Sequence, residues 1–185
     1  MFLVKTRHYI DRARSIGHVG ALTWLGYRGS RDVHLGPGVR ITDPARVSIG
    51  EMVNISRDVK IECLTMAGRA EAGMVVIGDR VFIGERSTII CNARITIGRL
   101  TMIGHGVSIL DFNHGTSRDG PMRDQLGTTA EVSIGEDCWL GANVIVLPGV
   151  TVGDGTVVAA GSVVTQTLPA NVIAAGVPAR ILKDR

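Results

Sequence analysis

Residues 134–164 read Ile134-Gly135-Glu136-Asp137-Cys138-Trp139-Leu140-Gly141-Ala142-Asn143-Val144-Ile145-Val146-Leu147-Pro148-Gly149-Val150-Thr151-Val152-Gly153-Asp154-Gly155-Thr156-Val157-Val158-Ala159-Ala160-Gly161-Ser162-Val163-Val164. Counting in sixes from Ile134 lands on Leu140, Val146, Val152, Val158 and Val164, and Gly135, Gly141, Gly153 and Ala159 each follow a mark. The same count upstream gives Ile49, Ile55 and Ile61, then Ile77, Ile83 and Ile89, then Ile97, Ile103 and Ile109. Six is a multiple of the two-residue strand period and not of the 3.6-residue helical one, so every mark points to one side of a short strand. Val47, Val53, Val59, Val75, Val81, Val107, Val132, Cys138, Val144 and Val150 share that parity two residues earlier and belong to the same interior wall. Glycines this frequent would each cost a helix about 1 kcal/mol relative to alanine. At bends between short strands they are expected to supply backbone angles that other residues resist.

Such strands bury their aliphatics only if successive turns of chain stack as parallel strands, which makes a solenoid. The hexapeptide triplets resemble those of the hexapeptide-repeat acyltransferases. The resemblance implies an all-β fold, a left-handed parallel β-helix with three hexapeptides per coil. Handedness comes from the resemblance alone, since parallel crossovers are in general right-handed.

One domain is expected for 185 residues, and 45% hydrophobic content supplies a core although aromatics are only 4%. The net charge of +3 comes from scattered basic residues without interleaved aromatics, which argues against a nucleic-acid partner. Cys63, Cys91 and Cys138 are odd in number and lack CxxC spacing, so neither a disulfide nor a metal site is expected. Met1 to Val4 give way at once to Lys5, Arg7 and Asp11, so no signal peptide or transmembrane segment is expected and the reading is cytoplasmic.

The repeat frames about 33–168. Residues 1–32 lack it and are expected to cap the open end of the solenoid, with a helical start at Tyr9–Arg14 and Trp24 and Tyr27 as packing residues. Residues 169–185 form a C-terminal tail. Between Ile61 and Ile77 the step is sixteen, a surface loop over about 62–74, and between Ile89 and Ile97 it is eight, a bulge at Cys91-Asn92-Ala93-Arg94. Between Ile109 and Ile134 it is twenty-five, so a loop of about 111–129 leaves the helix carrying Asp111-Phe112-Asn113-His114. Long loops in compact folds are usually functional or disordered.

His114 stands at the root of that loop, where a rigid scaffold can position it, and an imidazole can take a proton from an attacking alcohol and return it to a thiolate. Asp111 either fixes the imidazole tautomer or binds an acceptor hydroxyl. Asn113 holds the loop backbone or meets the acceptor. Asn92 contacts the acceptor or stabilises its own turn. His105 falls on an outward turn position, and with His114 it makes at most two of the three or four ligands that a zinc site needs.

The Asp-Phe-Asn-His run resembles the D-x-N-H stretch of hexapeptide O-acetyltransferases of the galactoside, maltose and surface-polysaccharide type, which implies that His114 is the general base. The resemblance is densest from Ile134 to Lys183 and includes Ala160-Gly161-Ser162-Val163-Val164-Thr165 and Ala174-Ala175-Gly176-Val177-Pro178-Ala179-Arg180. It implies acetyl-CoA as co-substrate, with Trp139 beside the thioester and pantetheine, the Ala142 N–H facing the thioester oxygen, and Ala160 leaving room for the pantetheine. It also places Thr165, Arg180 and Lys183 at the nucleotide and phosphate end, where Gln166 replaces a common lysine. A prism with flat faces packs around a threefold axis, and the resemblance implies a homotrimer with its sites between subunits. The expected activity is O-acetylation of a sugar or of a carbohydrate-containing precursor. N-acetylation of an amino sugar, acetylation of an antibiotic and a non-catalytic scaffold stay open, and the loop with its histidine argues against the last.

Overall fold

The computed structural model describes residues 29, 30, 32–64 and 73–185. The Tyr9–Arg14 segment, Trp24, Tyr27 and residues 65–72 of the first loop lie outside the described residues.

The chain winds into six coils, the first five laying one strand on each of three parallel sheets and the sixth on two of them. Coil one contributes β1 (Val33–Leu35), β2 (Arg40–Ile41) and β3 (Val47–Ile49), and coil two β4 (Val53–Ile55), β5 (Lys60–Cys63) and β6 (Met74–Ile77). Coil three contributes β7 (Phe82–Ile83), β8 (Thr88–Cys91) and β9 (Arg94–Ile97). In coil four, β10 (Met102–Ile103) and β11 (Ser108–Leu110) precede the long loop, whose base is β12 (Phe112–Asn113) against β13 (Thr128–Thr129), and β14 (Val132–Ile134) resumes the helix. Coil five holds β15 (Trp139–Leu140), β16 (Ile145–Val146) and β17 (Thr151–Val152), and coil six β18 (Val157–Val158) and β19 (Val163–Val164). A single bridge from Val152 to Leu168 stands for the third strand of coil six.

The first face is therefore β1-β4-β7-β10-β15-β18, the second β2-β5-β8-β11-β16-β19 and the third β3-β6-β9-β14-β17. All the sixfold marks are buried, and so are Val47, Val53, Val59, Val75, Val81, Val107, Val132, Cys138, Val144 and Val150. The interior wall drawn from parity is the observed core.

The bend glycines work differently from expectation. Gly50, Gly78, Gly84, Gly98, Gly104, Gly135, Gly141 and Gly153 do not take positive φ; the left-handed residue comes two positions later, with φ between 51° and 63° at Met52, Arg80, Arg86, Leu100, Asp137 and Asn143. What these glycines supply is clearance. A Cβ on Gly98 would stand 2.5 Å from the Gly135 carbonyl, and one on Gly104 would stand 2.8 Å from the Ala142 nitrogen. Coils stacked at the strand spacing of about 4.8 Å leave no room for a methyl there.

The tail is ordered. β20 (Val172–Gly176) extends the first face parallel to β18, and β21 (Ala179–Asp184) returns antiparallel along it after a cis Val177–Pro178 peptide. Arg185 ties this end to coils five and six through the Asp137 carboxylate at 3.0 Å and the Gly155 carbonyl at 2.8 Å.

Candidate active site

The long loop leaves the corner between the second and third faces. Its root is set by Asp111, which is fully buried and accepts hydrogen bonds from the backbone N–H groups of Asn92 and Ala93, both at 2.7 Å, and from the Cys91 thiol at 3.3 Å. The two extra residues of the coil-three bulge are thus wrapped around the carboxylate of the next coil. Beyond it Phe112 and Asn113 pair antiparallel with Thr129 and Thr128, closing the loop at its base. Within the loop Gln125 accepts from the Ser117 N–H and donates to the Ser117 and Gly120 carbonyls, each at 2.8 Å. Gln125 was invisible to sequence patterning, because an irregular segment has no phase from which to read it.

His114 emerges from this ribbon exposed to solvent, its ring edge-on to Phe112 at 6.3 Å between centroids. Asn113 is exposed beside it. The expected partnership of Asp111 with the histidine, or with a sugar hydroxyl, is corrected: both carboxylate oxygens face inward and are engaged by coil three. Asn92 is corrected with it, since only 1% of its surface is exposed and its main chain is part of the bulge that Asp111 holds.

The thiols are shut in, Cys63 and Cys91 near this root and Cys138 at another corner. Burial, reinforced by the Asp111 charge, pushes the Cys91 thiol far up; burial, with Asp43 second, pushes Cys63 up to about 11, and burial also raises Cys138. None is a nucleophile at neutral pH.

A second group gathers at the corner between the first and second faces. Trp139, 51% exposed, stands outward on β15, and Ala142 follows at the bend. At equivalent bends on another corner an aspartate from the next coil caps the backbone: Asp79 accepts the Glu51 N–H at 2.8 Å and Asp154 the Glu136 N–H at 2.7 Å. The residue stacked on Ala142 is Ala160, which has no acceptor to offer, and among the described residues nothing accepts the Ala142 N–H. A free N–H at a solvent-facing bend is an anion donor of the kind a tetrahedral oxyanion needs.

Arg180 pairs with Ala175 and Lys183 with Ile173 on the terminal hairpin, so both extend this same face. Thr165 and Gln166 do not join them. They follow β19 at the corner between the second and third faces, above the loop that carries His114. The candidate residues thus fall into two sets on two edges of one prism: His114, Asn113, Thr165 and Gln166 on one, and Trp139, Ala142, Ala160, Arg180 and Lys183 on or near the other.

Residues 74–111 and 131–166 match the hexapeptide repeat of succinyl-transferase. The Escherichia coli K12 protein WbbJ, named for O-acetyl transfer in lipopolysaccharide biosynthesis, is 34% identical over 170 residues, covering 88% of this chain and 83% of WbbJ. The chain belongs to the hexapeptide-repeat acyltransferases. Galactoside O-acetyltransferase of the same strain is 34% identical over 113 residues, 58% of this chain and 53% of its own length. The crystal structure of the hexapeptide-repeat acetyltransferase VCA0836 of Vibrio cholerae O1 biovar eltor, complexed with acetyl coenzyme A, superposes with a TM-score of 0.61 at 25% identity, covering 94% of this chain and 85% of the other.

Proposed function

We propose that this chain is an acetyl-CoA-dependent O-acetyltransferase whose acceptor is a hydroxyl of a sugar or of a polysaccharide or lipopolysaccharide precursor. The observation that carries the reading is the pair of complementary half-sites: an exposed imidazole on one edge of the prism and a free backbone donor beside an exposed tryptophan on another. The names of WbbJ and galactoside O-acetyltransferase support O-acetylation, and the acetyl coenzyme A in the VCA0836 complex supports the donor.

His114 takes the acceptor hydroxyl proton as the oxygen attacks the thioester carbonyl. The Ala142 N–H binds the oxyanion, the C–S bond breaks, and the imidazolium returns its proton to the CoA thiolate, leaving an acetyl ester and CoA. Trp139 and Ala160 border the thioester and pantetheine, while Arg180, Lys183, Thr165 and Gln166 meet the nucleotide and phosphates.

The two sets meet between subunits of a homotrimer. The third face carries a polar outer ladder of Ser48, Thr96, Ser133 and Thr151, interrupted by Val76, and suits solvent. The second face carries half-buried Ile90, Leu110, Ile145, Leu147 and Val163, and suits the threefold axis. With that face inward, the His114 edge of one subunit meets the Ala142 edge of the next. Among the described residues no helix is long and apolar enough to cross a membrane, and the donor and unpaired thiols suit the cytoplasm.

The test is release of free thiol from acetyl-CoA in the presence of simple glycosides. Replacing His114 with alanine should lower turnover about 10²- to 10⁴-fold while CoA still binds. Undiminished turnover in that variant would overturn the mechanism.

A further inference from the structure

Upstream of Ala142 the same corner carries two side chains that the proposed chemistry leaves unused. Gly84 packs on the Gly104–His105 peptide and Gly104 on the Gly141–Ala142 peptide, so Glu85, His105 and Ala142 form one column, a coil apart at about 4.8 Å each. The backbone confirms the stacking, with the Gly106 N–H on the Glu85 carbonyl and the Asn143 N–H on the His105 carbonyl, both 2.8 Å. His105 is exposed. Glu85 is half-buried, and among the described residues it forms no ion pair.

Three residues before each member of that column stands a large apolar side chain facing outward. Phe82, Met102 and Trp139 lie in register on adjacent strands and are 37%, 51% and 51% exposed. A polar column and an apolar wall therefore run side by side across three coils and end at the free Ala142 N–H. A sugar ring has this same division, with apolar C–H faces and hydroxyls around its rim.

We infer that the acceptor sugar lies with one face on Phe82 and Met102 while its hydroxyls are held by Glu85 and His105. This rests on the reading of the chain as a sugar O-acetyltransferase. Trp139 stands level with Ala142, and Ala160 and the terminal hairpin lie beyond it on the side proposed for the donor, so the acceptor enters from upstream. The Glu85 carboxylate accepts hydrogen bonds from two adjacent hydroxyls, a charge-assisted pairing favoured in a half-buried place. His105 reaches a third hydroxyl nearer the reacting oxygen. The substrate class is a pyranoside with a vicinal diol one position away from the hydroxyl that is acetylated. Glu85 and His105 are specificity-determining residues, distinct from the proton transfer by His114.

Methyl glycosides of galactose, glucose, mannose and rhamnose, assayed by thiol release, identify the best acceptor, and its monodeoxy derivatives locate the diol. Glu85→Gln should raise the KM for that glycoside about 10- to 100-fold with a smaller change in kcat, and His105→Ala about 3- to 10-fold. Glu85→Gln should also erase most of the preference over the deoxy derivative lacking one diol hydroxyl, because the carboxylate no longer rejects it. Affinity for acetyl-CoA by calorimetry should not move. Unchanged KM and unchanged deoxy discrimination in both variants, with His114→Ala still inactive, would overturn the inference and leave the activity standing. Failure of every glycoside with the wild-type protein, while acetyl-CoA binds, would overturn the sugar reading and the inference with it.

Discussion

The carboxylate of Asp111 receives the backbone N–H of Asn92 at 2.7 Å, across one coil of the helix. One residue of the D-x-N-H run is thereby a fastener between coils, and the histidine three positions on is the part that faces solvent. Asp111→Ala strands one buried and one partly buried N–H group, each costing up to about 1–3 kcal/mol, so a loss near 3 kcal/mol in urea unfolding is expected. The pH dependence of turnover in the surviving folded enzyme should match wild type. A shifted pH profile with unchanged stability would show that the aspartate tunes the histidine after all.

The proposed trimer, with its half-sites on separate edges, predicts complementation. His114→Ala and Ala160→Trp are each expected to be inactive, the first lacking the proposed base and the second blocking the proposed donor channel. Mixed trimers formed by co-refolding in equal amounts should regain about a quarter of wild-type activity, since random assortment in a closed ring pairs intact halves in about that fraction of sites. No recovery from verified mixed trimers would place both halves in one subunit.

The cysteines make a statement about alkaline stability. The Cys63 thiol is raised from 9.0 to about 11, and Cys91 and Cys138 move the same way. Above the ordinary thiol value the unfolded chain loses these protons while the folded one keeps them, so the unfolded state binds fewer protons and stability falls as pH rises. Urea midpoints should be insensitive to these thiols below about pH 8 and should decline between about pH 9 and 11. The Cys63→Ala, Cys91→Ala, Cys138→Ala triple variant should flatten that decline, and in the native protein at pH 8 a thiol reagent should find almost nothing to react with. Rapid labelling at pH 8 would contradict the burial on which this rests.

Clearance at the bends can be measured against a control. Gly98→Ala sets a methyl 2.5 Å from a neighbouring backbone carbonyl, while Gly120→Ala, in the long loop, meets nothing within 4 Å. The first should cost about 1–3 kcal/mol, the range for forcing extra volume into a packed site, and the second almost nothing. Equal thermal midpoints for the two would mean that the coils separate easily.

The fold was legible because the signal repeats: the aliphatic marks from Ile49 to Val164 each restate one phase, and a reader with no coordinates can assign every one to the interior. Phe82 and Met102 were equally legible in principle, since each sits one residue before a mark and must face outward, but of these two and Trp139 only the last falls in the stretch that carries the densest resemblance. Asp111 was legible too: it sits two residues after the mark Ile109, the parity that buries Cys63 after Ile61 and Cys91 after Ile89. A carboxylate beside a loop histidine suggests chemistry, and parity, which turns it inward onto the bulge at Asn92 and Ala93, decides against that. The division of Thr165 from Arg180 was hidden, because the repeat ends near Leu168 and gives no phase for the tail in which Arg180 lies.

The return of β21 against β20 closes the first face of the helix to further parallel coils. A stack of parallel coils is an open-ended polymer in miniature, and any exposed last coil invites another of the same kind, from the same chain or from a stranger. An antiparallel strand reverses the direction in which the next layer would have to run, and its outer edge bears Arg180, Lys183 and Asp184. Lengthening by duplication of coils is therefore confined to positions before the hairpin, so a variant with a seventh coil would have to gain it in the middle of the helix and carry the same ending outward.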